Sequence, residues 1–118
     1  MKRLAWITLI CFFSTYAYAA SNCNKNTIPK LIKKLENYEI IATNTATIPT
    51  KEAFRGEKLS FHLQAKKHHR ANKLRINHKT GKLTVIAEKQ DQFDVKIIAK
   101  NACGSAQTIF NIIIDEEI

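Results

Sequence analysis

The sequence predicts an all-β fold, an antiparallel β-sandwich preceded by a short N-terminal segment that is helical or irregular. Three observations predict it. From Tyr38 onward apolar and polar residues alternate with a period of two, the pattern of half-buried strands. Turn-forming residues interrupt that alternation at hairpin spacing. No helical stretch separates the later strands, which sets aside a repeating strand–helix unit.

The chain begins with an export address. Lys2 and Arg3 form a short positive start, residues 4–13 are apolar, and Ala17-Tyr18-Ala19 gives the small-x-small pattern that signal peptidase reads. The apolar run is too short for a permanent transmembrane helix. Residues 1–19 are therefore expected to be a cleaved signal peptide, leaving a mature chain with no transmembrane segment. A lipoprotein signal is the rival, but Asn22 stands before Cys23 where a lipobox needs a small residue. Cleavage leaves 17 basic residues against 10 acidic ones, a net charge of +7 in place of +9. What remains is one domain's worth of chain. It has no N-x-Ser/Thr sequon, which fits a bacterial periplasm better than a eukaryotic secretory route.

Cleavage also removes Cys11 and leaves Cys23 and Cys103. An even count in an oxidising compartment reads as a disulfide. That bond closes most of the mature chain into one loop, a constraint of about 4–5 kcal/mol in the chain-entropy model. The two cysteines lack the C-x-x-C proximity of a redox-active pair.

Residues 27–38 are the one helix candidate. Ile28, Leu31, Ile32 and Leu35 recur at helical spacing, with Lys30, Lys33, Lys34 and Glu36 opposite. Thr27 suits the cap and Pro29 the first turn. The apolar stripe is narrow and lacks Trp or Phe, so a segment packed on the domain is expected rather than a membrane-surface helix.

Strands follow. Residues 39–43 and 45–48 are β-prone and stop at Pro49. Leu59, Phe61 and Leu63 alternate with Ser60, His62 and Gln64, and Leu74 and Ile76 lie between Lys73, Arg75 and Asn77. A turn over residues 77–81, with Gly81 supplying a positive φ, leads to Leu83 and Val85. Phe93, Val95, Ile97 and Ala99 form one face of the next strand. Asn101-Ala102-Cys103-Gly104 turns the chain into a last strand through Phe110, Ile112 and Ile114. The predicted core is Leu59, Phe61, Leu74, Ile76, Leu83, Val85, Phe93, Val95, Ile97, Phe110 and Ile112.

Three ordered pieces carry a family resemblance. They are Gly56-Glu57-Lys58-Leu59-Ser60-Phe61, then residues 74–83 with Thr80-Gly81-Lys82-Leu83, then residues 93–104 with Ala99, Asn101 and Gly104. The set resembles the bacterial cadherin-like, dystroglycan-type Ig-like module, whose pattern is G-x-x-L-x-F, L-x-I-x-x-x-T-G-x-L and A-x-N-x-x-G. The match runs over residues 45–114. It departs from the pattern at Ala87-Glu88-Lys89-Gln90, which replaces the usual G-T-P. It also lacks a core Trp between paired cysteines. The resemblance implies an Ig-like or cadherin-like sandwich over residues 45–118; the Cys23–Cys103 bond, a local elaboration outside the family pattern, is expected to tie residues 20–44 to it. It also raises calcium, which cadherins hold with D-x-D and D-x-N-D-N clusters. Neither Asp91/Asp94 nor Asp115-Glu116-Glu117 matches those motifs, so no cofactor is expected.

The sharpest polar feature is Lys66, Lys67, Arg70, Lys73, Arg75, Lys79 and Lys82, seven cations with no acid among them, joined by His68, His69 and His78. Two readings stay open: a solvated basic surface, or a site for an anionic glycan, lipid or acidic protein surface. Specific nucleic-acid binding is not expected, because no aromatics are interleaved to stack bases. Neighbouring His68 and His69 point opposite ways on a strand and have no carboxylate or thiol at ligand spacing, so no metal is expected. No G-x-S-x-G, activated cysteine or carboxylate pair suggests catalysis. The expected function is an exported, non-enzymatic binding or adhesion-type module for a protein or glycan partner, periplasmic or extracellular. Its alternative is a cationic envelope or host-surface ligand acting through residues 66–82.

Overall fold

The computed structural model describes residues 23–116. The expected signal peptide at residues 1–19 lies outside them, as do the last two residues. Nine strands form in chain order: β1 (Lys30–Leu31), β2 (Tyr38–Ile41), β3 (Thr45–Pro49), β4 (Phe54–Arg55), β5 (Ser60–Ala65), β6 (Lys73–Ile76), β7 (Lys82–Ile86), β8 (Asp91–Asn101) and β9 (Gly104–Asp115). A four-stranded sheet in the order β2-β9-β8-β5 faces a three-stranded sheet in the order β3-β7-β6. Short β1 and β4 pair separately. The pairings are antiparallel except at β2, which runs parallel to β9 with Tyr38 opposite Ile112 and Ile41 opposite Asp115. The segment expected only to be tied down thus contributes an edge strand.

Period-two alternation builds the core. Phe93, Val95, Ile97 and Ala99 point inward from β8, and Phe110, Ile112 and Ile114 from β9, against Leu83 and Val85 of β7. Of the predicted core, Leu59, Leu74 and Ile76 are half-buried at its margin, and the other eight are buried. Ile40, Ala42, Ile48, Ala53, Phe54 and Ala87 join them.

The helix expected over residues 27–38 does not form. Lys30 and Leu31 pair with Arg55 and Phe54, and the N–H groups of Ile32 and Lys33 donate to the Ala53 carbonyl at 2.8 and 3.2 Å. Ile28 and Ile32 stay 42% and 51% exposed, while Leu31 and Leu35 pack on the core. Two causes combine. A residue before proline, here Ile28, is pushed out of the helical region. A helix this short is also marginal by itself, so neighbouring backbone groups capture its N–H donors.

Cys23 and Cys103 are bonded, with Cα atoms 5.5 Å apart and a sequence separation of 80. Asn101 reinforces the same junction. Its amide donates to the carbonyls of Thr27 and Glu57 at 2.6 and 2.8 Å, and its side-chain oxygen accepts from the Cys103 N–H at 2.8 Å. At the opposite hairpin Gly81 adopts φ +74, as its turn requires. A Cβ there would lie 2.9 Å from Thr50 Oγ1 and 3.1 Å from the Phe61 ring.

Candidate functional site

The seven cations of residues 66–82 do not form one cluster. Lys66, Lys67 and Arg70 lie in the loop between β5 and β6, Lys79 in the β6–β7 turn, and Lys73, Arg75 and Lys82 on the three-stranded sheet. Side chains alternate across a sheet. With Leu74, Ile76, Leu83, Val85 and Ile48 turned to the core, the outward set of β3, β7 and β6 is Thr45, Thr47 and Pro49, then Lys82, Thr84 and Ile86, then Lys73 and Arg75. Register places Lys73 beside Ile86 and Arg75 beside Thr84, with Thr47 on the far side of Thr84. Three cations and three threonines share this face with no carboxylate and no aromatic ring. Lys73 and Arg75 are separated by roughly 7 Å along the strand.

The loop that leads to this face is pinned from below. Asn72, 1% exposed, accepts the N–H groups of Glu88 and Lys89 on its side-chain oxygen at 2.7 and 2.9 Å, and its amide donates to the Lys89 carbonyl at 3.0 Å. Asp91 accepts the His69 N–H at 2.6 Å and the Gln92 N–H at 2.8 Å. The His68 ring packs against Phe93, tilted by 36° with centroids 5.0 Å apart. Burial opposes the Asp91 charge, but the His69 and Gln92 N–H groups, the Asn72 amide and nearby His68 outweigh it. The carboxyl is held below its ordinary pKa. The acid-free stretch therefore stands on an acid supplied from β8.

The histidines divide by role. His78 Nδ1 donates to the Phe61 carbonyl at 2.7 Å, and the Phe61 N–H donates to the His78 carbonyl at 2.8 Å, which ties the two sheets together. The rings of His62 and His78 lie 5.2 Å apart. Desolvation, then Lys100 and His78, hold His62 below its ordinary pKa. Among the described residues no three His, Cys, Asp or Glu side chains converge where a metal ion could sit, and no helix is long and apolar enough to cross a membrane.

A second surface was not anticipated from sequence. The β2 strand covers β9 only from Ile112 to Asp115. Just before it, the Asn111 N–H turns away from β8 and donates to the Asn37 side-chain oxygen at 3.1 Å. In an antiparallel ladder alternate residues point to the same edge. The Ser105, Gln107 and Ile109 backbones thus face the same way, and no hydrogen bond reaches their N–H groups from the described residues. An open cleft of about 560 Å³ separates residues 34–37 from residues 109–111, and Ile109 is 48% exposed.

No protein-family model and no curated protein matches the chain. Solved structures do match. Titin domain M7 superposes with a TM-score of 0.54 at 15% identity over 79% of this chain and 99% of that domain. The PKD domain from the KIAA 1837 protein gives 0.56 at 14% identity over 81% and 93%. Two Bacteroides fragilis proteins assigned as α-galactosidases give 0.57 and 0.58 at 18% identity. This chain covers 75% of its own length in those two matches and spans only 18% of the galactosidase chains. At such identities the likeness is one of fold, and the fold is an Ig-like β-sandwich.

Proposed function

We propose that this Ig-like domain is an exported, non-enzymatic binding module. Residues 1–19 are removed on export to the periplasm or cell exterior, strands β2 to β9 form the sandwich, and the partner is a protein or glycan that presents anionic groups. One observation carries the reading: the outer face of β3-β7-β6 gathers Lys73, Arg75 and Lys82 around Thr45, Thr47 and Thr84 without a carboxylate. Cations attract sulfate, phosphate or carboxylate groups over several ångströms, and threonine hydroxyls donate to their oxygens at contact. Lys66, Lys67 and Arg70 extend the field at one end of β6, and Lys79 at the other. The disulfide and the lack of a membrane-spanning helix among the described residues are compatible with an extracellular site.

Binding to heparin, lipopolysaccharide and an acidic polypeptide at low and high salt tests this. The combined variant Lys73→Glu, Arg75→Glu and Lys82→Glu turns three attractions into three repulsions. At about 0.3–0.5 kcal/mol of attraction lost and as much repulsion added at each of the three positions, the loss is about 2–3 kcal/mol, or roughly thirtyfold to hundredfold. Wild-type binding should fall steeply with salt, and the variant's residual binding should not. Absence of wild-type binding to all three probes at low salt would refute the reading.

A further inference from the structure

We infer that the outer face of the four-stranded sheet holds a second binding site, a groove for an uncharged oligosaccharide. The inference is independent of the basic face, which lies on the opposite side of the sandwich. Two open clefts of about 560 and 250 Å³ adjoin there, because Asp94 and Ile109 line both. Register makes them one groove that crosses the strands. Gln64 of β5 lies beside Lys96 of β8, and Lys96 beside Ile109 of β9. In the next row Asp94 lies beside Asn111. Residues 34–37 wall one end and residues 64–66 the other. Three strand spacings of ~4.8 Å make the groove about 14 Å long.

The polar groups of the groove hold one another in place. The Gln92 amide donates to the Asn111 side-chain oxygen at 3.0 Å, and the Asn111 amide donates to the Asp94 carboxylate at 3.0 Å. The Asn111 N–H donates to the Asn37 side-chain oxygen at 3.1 Å, and the Lys66 N–H to the Asp94 carbonyl at 2.9 Å. Each link uses only part of a group's capacity. The second carboxylate oxygen of Asp94, the second amide proton of Asn111, the Asn37 amide and the Lys96 ammonium have no partner among the described residues. Donors and acceptors thus stand side by side and are ordered before a ligand arrives, which lowers the cost of binding.

The lining selects the occupant. A sugar hydroxyl both donates and accepts, so interspersed carboxylate, amide and ammonium groups satisfy it in both senses. Asp94 and Glu36 among Lys34, Lys66 and Lys96 give no field of one sign for a polyanion, unlike the acid-free opposite face. The floor offers a peptide no ladder, because β8 is paired with β5 on one side and β9 on the other. It also offers no deep apolar pocket for a side-chain anchor. Phe110 is turned into the core, and Ile109 is the one exposed large hydrophobic residue in the lining. That isoleucine gives the C–H face of a sugar ring an apolar platform.

Titration of the isotope-labelled, exported and oxidised protein with neutral linear oligosaccharides provides the test. The probes are cello-, chito-, xylo- and manno-oligosaccharides of increasing length. At least one series should shift the backbone amides of residues 37, 64, 94, 96, 109 and 111 and leave residues 73–75 and 82–84 unmoved. Affinity should rise with chain length, level off once the groove is filled, and stay the same at low and high salt. Asp94→Ala removes an acceptor common to both clefts and should weaken binding by roughly tenfold or more. Gln64→Ala, at the far end, should weaken it less. Both side chains are exposed, so thermal melts should match the wild type. The combined Lys73→Glu, Arg75→Glu and Lys82→Glu variant should bind these sugars as the wild type does, which separates this site from the anionic one. Absence of groove shifts with every series at millimolar concentration overturns the inference. So do unchanged affinity in both alanine variants, sugar shifts confined to another face, or a groove that takes an extended uncharged peptide and no sugar.

Discussion

The two flanks of the sandwich present opposite surfaces. Beside β6 the exposed positions hold Lys73 and Arg75, reached by a loop with three more cations. Beside β9 the exposed positions hold Ser105, Gln107 and Ile109, with no charge for eleven residues. The same cations that offer the β6 flank to an anionic partner also guard it against strand addition. The β9 flank has neither property. Each flank is also anchored by different chemistry: a disulfide and Asn101 at the β9 end, and Asn72 with Asp91 at the β6 end. Perturbing one anchor should loosen one flank and leave the other in place.

The largest effect is expected from the disulfide. With its ends 80 positions apart, its removal by Cys23→Ala and Cys103→Ala should lower stability by about 4–5 kcal/mol in urea unfolding. Hydrogen exchange should quicken over residues 24–37 and 101–105 and stay unchanged over residues 66–76. Uniform loosening would show that the anchors are not separate.

Asn72→Ala comes next. It strips the N–H groups of Glu88 and Lys89 of their acceptor. Because both residues are exposed and water can replace part of the loss, a cost of about 1–3 kcal/mol is expected. Exchange should now quicken over residues 66–72 and 87–90, the mirror image of the disulfide result.

These two anchors differ in how far the sequence disclosed them. The cysteine pair is visible once residues 1–19 are read as a cleaved signal, because parity and the expected compartment then point to it. Alternation likewise revealed the strands and eight core residues, since a half-buried strand repeats every two positions whatever its partner. Asn72 and Asp91 gave no signal. Their roles come from register, which brings positions 19 apart within hydrogen-bond reach. Asn101 lay in plain view within A-x-N-x-x-G, but its bond to Thr27 depends on a segment read as a helix, and its bond to Glu57 on a loop 44 positions away. That helix pattern misled because Leu31 and Leu35 also suit a chain lying flat across the sandwich. The basic run was legible as a composition and not as a site, since a hairpin distributes neighbouring residues over two ends and a face. How β9 is flanked was hidden for a related reason. Whether a strand is covered depends on where its neighbour starts, and β2 starts at Tyr38.

Acid should separate the flanks further. Asp91 has a folded pKa below its ordinary value, so its contribution is complete above about pH 4 and is lost as pH falls through the lower, folded value. His62 is also depressed, which for a base has the opposite charge consequence. Below about pH 6.5 the unfolded chain takes up the proton first, and stability declines until the folded His62 protonates. Thermal melts should therefore show a shallow decline below about pH 6.5 that His62→Gln removes. A second decline in stronger acid should be removed by Asp91→Asn at the cost of a less stable protein at neutral pH. In that second window exchange should quicken first over residues 66–72, because the His69 N–H loses its charged acceptor.

The smallest change in stability is expected where the change in binding is large. Lys73, Arg75 and Lys82 are exposed, and none pairs with a carboxylate among the described residues. Reversing all three breaks no ion pair and buries no charge, so unfolding free energy should move by less than about 0.5 kcal/mol. Reversal also relieves part of the +7 repulsion expected of the chain without residues 1–19, which makes a slight gain in stability at low salt the favoured direction. Two measurements on one variant then decide between the readings of the basic run. If affinity for heparin or lipopolysaccharide drops while urea unfolding is unmoved, the cations are a site. If neither changes, they serve to keep strands off the β6 edge. In that case the reversed variant, whose edge carries glutamates in their place, should remain as resistant to strand addition as the wild type.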